Sequence, residues 1–144
     1  MDIETITQNN KIVPYLICAY NGIDYITSFS KNQSELFTNF ITSLTGLFYK
    51  KSNKLIVYAH NLSGFDGVLL MRYLMSFGKV EPLLHNGRLI SIKIKLNTVG
   101  NVGKTIIFKN ETFFKFITSN DFKFIFMFNC IIHFCRVNPS FPLT

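Results

Sequence analysis

Residues 54–75, KLIVYAHNLSGFDGVLLMRYLM, constrain the fold more than any other stretch of this chain. Lys54 to Ala59 is a short apolar, β-branched run, the pattern of a buried strand. From Phe65 the residues are helix formers, and Gly78 predicts where that helix stops, so the spacing gives a helix over 65–77. Only a few residues join the two, and Gly64 allows the chain to turn sharply between them. A buried strand that feeds at once into a buried helix demands a sheet with helices packed on it.

The flanking segments supply the rest of that sheet. Residues 12–21 are rich in β-formers, Asn21-Gly22 is a hairpin signal, and residues 23–29 form the answering arm. A helix is predicted from about Ser34 to Lys50, with Ser34 as N-cap and Leu36, Phe37, Phe40, Ile41, Leu44 and Phe48 on one stripe. Residues 80–96 read as a second hairpin turning at Asn86-Gly87, its second arm alternating Ile and Lys. Thr105 to Phe108 makes a further strand. The expected order is hairpin, helix, strand, helix, hairpin, strand: an α/β fold built on a mixed sheet. After about Glu111 neither period is clean and no element is assigned.

Charge and cysteines narrow the chemistry. The chain carries 15 Lys and Arg against 8 Asp and Glu, a net charge of +7 over 144 residues. That suits a polyanionic partner such as nucleic acid, and equally a generally basic surface. Cys18, Cys130 and Cys135 show no zinc spacing and read as free thiols in a reducing compartment. The N-terminus is polar, unlike a secretory signal. Residues 122–135 are strongly apolar but shorter than the roughly 20 residues of a spanning helix, so no membrane partner is expected. The abundance of Phe, Ile, Asn and Lys is the bias of an AT-rich genome such as a mitochondrial one, which makes the mitochondrion the expected location.

Two clusters could carry chemistry. Asp2 and Glu4 are two apart, so in a strand both carboxylates project from one face, a donor set for hard divalent cations. Asp66 stands in the first turn of the second helix, where the helix dipole favours its ionised form. Asn61 offers a neutral amide, and His60 and Phe65 flank the pair, with Phe65 able to stack on a base. Taken singly, each has an ordinary reading: a solvated acidic terminus, a core histidine, a core phenylalanine and a turn.

Taken together, "DIET", a hairpin, a helix and "YAHNLSGFDG" on a strand–turn–helix closely resemble the 3′–5′ exonuclease domain of family B DNA polymerases. The likeness is to the protein-primed branch, found in linear mitochondrial plasmids and in phages that prime with a terminal protein. The first exonuclease motif of that family, Asp-x-Glu, falls on Asp2 and Glu4. The second, Asn followed by Phe-Asp, falls on Asn61 and Phe65-Asp66. The resemblance implies an RNase H-like fold and a two-metal site, Mg²⁺ or Mn²⁺, held by Asp2, Glu4 and Asp66. It also implies that Thr5, His60, Asn61 and Phe65 hold the 3′ end of single-stranded DNA while the terminal phosphodiester is hydrolysed.

The likeness covers residues 1–114, a partial exonuclease domain, and leaves 115–144 as a divergent tail. Asn110 stands where the family places an Asp. The third motif, Tyr-x-x-x-Asp, is absent: no Tyr follows Tyr73, and Asp121 is the sole later Asp. Only Met1 precedes Asp2, where the family has a strand. The dNTP-binding polymerase parts would lie C-terminal to this chain. The expectation is a fragment of a type B DNA-directed DNA polymerase of DNA replication, with little or no exonuclease activity by itself. The alternatives are a non-catalytic nucleic-acid-binding remnant and a separate small RNase H-like nuclease.

Overall fold

The computed structural model describes residues 1–48 and 52–110. Strands β1 (Asp2–Gln8), β2 (Lys11–Tyr20) and β3 (Tyr25–Phe29) lead into helix α1 (Gln33–Thr45). Then come β4 (Lys54–Ala59), α2 (Phe65–Leu74), β5 (Gly78–His85), β6 (Arg88–Leu96) and β7 (Thr105–Asn110). Two ladders result: an antiparallel β1-β2-β3 sheet, and a β4-β7-β6-β5 sheet whose β4–β7 pair is parallel and whose other pairs are antiparallel. This is an α/β fold with a mixed sheet, as the order of elements predicts, and it has the RNase H-like form that the resemblance implies. The remainder of the chain, with Asp121, residues 115–144 and the apolar run at 122–135, lies outside the described residues.

Met1 joins the two ladders. Its amine donates to the Tyr58 carbonyl at 2.6 Å, and the His60 amide donates to the Met1 carbonyl at 3.2 Å. That pair of bonds is the parallel pattern, with Met1 opposite Ala59. Strand β1 therefore begins where β4 ends, and the residues after Met1 run on past the end of β4.

One core lies under both helices. Leu36, Phe37, Phe40, Ile41 and Leu44 of α1 and Leu69, Leu70 and Leu74 of α2 are buried with Ile3, Ile17, Val57, Ala59, Ile92, Ile94, Ile106 and Phe108 of the sheets. The predicted α1 stripe is thus the buried stripe, with Phe48 packed at its margin. Phe37 stacks on Tyr73 of α2 with centroids 4.2 Å apart, and the Tyr73 hydroxyl donates to Gln33.

Several boundaries differ from the sequence reading. The N-cap of α1 is Asn32, not Ser34: its Oδ1 accepts from the Glu35 amide, and Glu35 in turn accepts from the Ser30 hydroxyl. Helix α1 ends at Thr45, short of the expected Lys50. Helix α2 ends at Leu74, and Gly78 opens β5 instead of capping the helix. A Cβ at Gly78 would lie 2.0 Å from the Lys95 carbonyl, so close strand approach is what requires glycine there. The strand of Asp2 extends to Gln8 and forms a further hairpin with β2, through Asn9 and Asn10 at φ 51 and 59. Asn tolerates that left-handed conformation better than most residues. Cys18 is disulfide-bonded, which corrects the reading of three free thiols; Cys130 and Cys135 lie outside the described residues. No helix among the described residues is long and apolar enough to cross a membrane.

Candidate active site

Asp66 reaches the site because the chain after β4 is tightly folded. Leu62 is fully buried and plugs the turn into the core. Gly64 lies over the Asn61 side chain: a Cβ there would stand 2.6 Å from Asn61 Oδ1. Gly67 presses on the Leu62 carbonyl, where a Cβ would stand 2.1 Å away. The first turn of α2 is thereby held against the chain leaving β4, and Asp66 is 5% exposed.

The Asp66 carboxylate meets the edge of β1. The Ile3 amide donates to Asp2 Oδ1 at 3.1 Å and lies near enough to Asp66 to favour its ionised form slightly. The Asp2 and Asp66 carboxylates therefore both lie by the start of β1. Asp66 Oδ2 is buried and has no hydrogen-bond partner.

Electrostatics place Glu4 in the same cluster. The pKa of Asp66 is raised from 3.8 to about 7, first by burial, then by the negative charges of Asp2 and Glu4. The Met1 ammonium and the Ile3 amide pull the other way, by less. Burial, then the charge of Asp2, raises the pKa of Glu4. Three carboxylates that repel one another in a partly dry space are costly as an anionic set. A hard cation with oxygen ligands would relieve that cost and use the orphaned Asp66 oxygen, so the donor chemistry suits Mg²⁺ or Mn²⁺. As they stand, no group of three His, Cys, Asp or Glu side chains among the described residues is arranged to hold a metal ion.

The remaining candidates rim this cluster. Thr5 is half-buried, just past an irregularity in the β1–β2 register between Glu4 and Thr5. His60 is half-buried and tied through its amide to Met1. Asn61 is exposed. Phe65 opens α2 and is 37% exposed, so its ring is available at the surface next to the Asp66 carboxylate. Sequence reasoning missed the Ile3 amide and Gly67. Gly67 was legible as the last residue of Phe-Asp-Gly; a backbone donor leaves no sequence signal.

Comparison with known proteins is consistent with this geometry. No protein-family model matches the chain. A protein of Neurospora intermedia named "Probable DNA polymerase" is 32% identical over 79 residues, 55% of this chain and 8% of that protein. Another of the same name from Ascobolus immersus is 28% identical over 103 residues, 69% of this chain and 8% of that protein. Phi29 DNA polymerase complexed with primer-template DNA superposes with a TM-score of 0.53 at 16% identity, over 76% of this chain and 20% of that one. Its ternary complex with incoming nucleotides gives 0.54 over the same share of this chain. The chain is thus similar in sequence to segments of proteins named DNA polymerase and in fold to part of Phi29 DNA polymerase. It spans about 8% of the length of the curated polymerases it matches. The polymerase likeness thus has relatives in sequence, and the fold has a solved counterpart in Phi29 DNA polymerase.

Proposed function

We propose that this chain is part of the proofreading 3′–5′ exonuclease domain of a DNA-directed DNA polymerase that serves DNA replication. The observation that carries the proposal is the buried Asp66 carboxylate, with Oδ2 left without a partner, in a cluster where the charges of Asp2 and Glu4 both act on it. In this reading Asp2, Glu4 and Asp66 hold Mg²⁺ or Mn²⁺. Cations bound there would supply an activated water and stabilise the leaving 3′ oxygen. The Ile3 amide orients the Asp2 carboxylate. Phe65 stacks on the terminal base, while Thr5, His60 and Asn61 hold the 3′ end of single-stranded DNA. Location in a mitochondrion, on a linear plasmid, is part of the same proposal and is supported by the Phe-, Ile-, Asn- and Lys-rich composition.

This chain by itself is expected to hydrolyse DNA poorly. It lacks the Tyr-x-x-x-Asp motif, so one carboxylate of the family's set is missing, and small misplacements of a site cost much in rate. A non-catalytic nucleic-acid-binding role is the second reading. It is favoured by the net charge of +7 and by the lack of a ready three-ligand cluster among the described residues. A 5′-labelled single-stranded oligonucleotide incubated with Mg²⁺ or Mn²⁺ separates the two. The expected outcome is salt-sensitive binding with little shortening, and Phe65→Ala weakening that binding by about 1–3 kcal/mol. Stepwise 3′ shortening abolished by Asp66→Ala would show the site to be complete. Binding indifferent to salt and to Phe65→Ala would overturn the 3′-end assignment.

A further inference from the structure

The outward face of the β4-β7-β6-β5 sheet is not accounted for by the carboxylate site. Strand alternation puts Leu55, Val57 and Ala59 toward the core and turns Lys54, Ile56 and Tyr58 outward. Ile56 is 47% exposed and Tyr58 42%. The register sets these residues in rows that cross the sheet. Lys54 faces Thr105, Thr105 faces Lys95, and Lys95 faces Lys79. Ile56, Ile107, Lys93 and Glu81 make the next row. Tyr58, Lys109, Ser91 and Leu83 make the row nearest the carboxylates.

The charge on this face is unbalanced. It carries five lysines and one glutamate among the described residues. Glu81 pairs with Lys79 at 2.9 Å and with Lys93 at 3.0 Å. Lys54, Lys95 and Lys109 have no carboxylate partner among the described residues. Lys95 instead stands directly across from Lys79, and like charges directly opposite destabilise a strand pair. An anion laid along the row would relieve that repulsion. Tyr58 adds an aromatic ring at the end nearest the site, and its carbonyl accepts from the Met1 amine one residue before Asp2. Basic side chains along a shallow surface with an interleaved aromatic ring are the pattern of a single-strand track.

We propose that this sheet face is a second track for single-stranded nucleic acid, running from Tyr58 and Lys109 beside the carboxylates to Lys54, Lys95 and Lys79. It rests on the reading of the carboxylate cluster as a 3′-end site, which it extends by leading the strand away from that end.

The test is fluorescence anisotropy of labelled oligothymidylates of about 5 and about 16 nucleotides, with EDTA present to prevent hydrolysis. Lys54→Gln with Lys95→Gln should weaken the longer strand about tenfold, lower its log–log salt slope by about 1.4, and leave the shorter one unchanged. Lys11→Gln with Lys31→Gln makes the same charge change on exposed positions elsewhere and should leave both strands unchanged. Equal weakening by the two pairs would mean that net charge alone acts, and would overturn the proposal. An unaffected longer strand would overturn it too, and would leave the face to a protein contact. Should the Lys54/Lys95 pair fail to fold by circular dichroism, Glu81→Gln decides: it should tighten the longer strand, and no tightening refutes the track. Failure of the 3′-end reading looks different, because the short strand would then be indifferent to Phe65→Ala while the long one still depended on Lys54 and Lys95.

Discussion

Asp66 is a residue whose environment works against its own charge. Burial and the neighbouring Asp2 and Glu4 raise its pKa from 3.8 to about 7. Between those values the folded chain holds a proton that the unfolded chain has released. Stability therefore falls as pH rises from about 4 to about 7 and stays lowered above that. Asp66→Asn keeps the shape of the side chain and removes the charge. It should stabilise the metal-free protein by roughly 1–4 kcal/mol at pH 8 and change little near pH 4. Urea unfolding at the two pH values measures this, and a variant less stable than the parent at pH 8 would refute the electrostatic account. On the site proposal, Mg²⁺ should stabilise the parent and not Asp66→Asn.

At the scale of single elements, polar side chains set the ends and apolar ones set the faces. Helix α1 was legible as a stripe because its buried residues recur with the helical period. Its start was not legible at the right residue, because Asn32 and Ser34 are both good caps on sequence grounds. The structure selects Asn32, whose Oδ1 meets the Glu35 amide while Glu35 accepts from Ser30. Asn32→Ala should then cost about 1 kcal/mol, whereas Ser34→Ala should be near neutral. Thermal or urea melts of the two variants check this, and the reverse order of effects would restore Ser34 as the cap. The same competition displaced the end of α2. Gly78 resembles a helix stop, yet the Lys95 carbonyl leaves no room for a Cβ there, so the glycine serves the strand pairing.

In the whole molecule, two ladders share one core. Phe108 of β7 is fully buried in the same cluster as Ile17 of β2 and Phe40 of α1. The Met1 bonds to Tyr58 and His60 add a backbone link between the sheets. The described fold should therefore unfold as one unit. Phe108→Ala is expected to cost about 3–5 kcal/mol and to lower amide protection in β1-β2-β3 as well as in its own sheet. Hydrogen exchange resolved by strand measures this; loss of protection confined to β4-β7-β6-β5 would show two independent units.

The sequence by itself determined the class of fold and named the candidates for the site. Short-range patterns carry that information: alternation in β6, the stripe of α1, Asn86-Gly87 at its turn, and Asp-x-Glu with Asn and Phe-Asp around Gly64. Each depends on neighbours a few residues away, so each is visible in a single chain. Tertiary structure alone decided the rest. The convergence of Asp66 on β1 depends on Met1 pairing beside β4, a contact across 57 residues. The raised pKa of Asp66 depends on burial and on two distant carboxylates. The lysine rows depend on a register that joins four strands from three parts of the chain. Long-range pairing and desolvation are properties of the packed chain, and no local pattern of residue types encodes them.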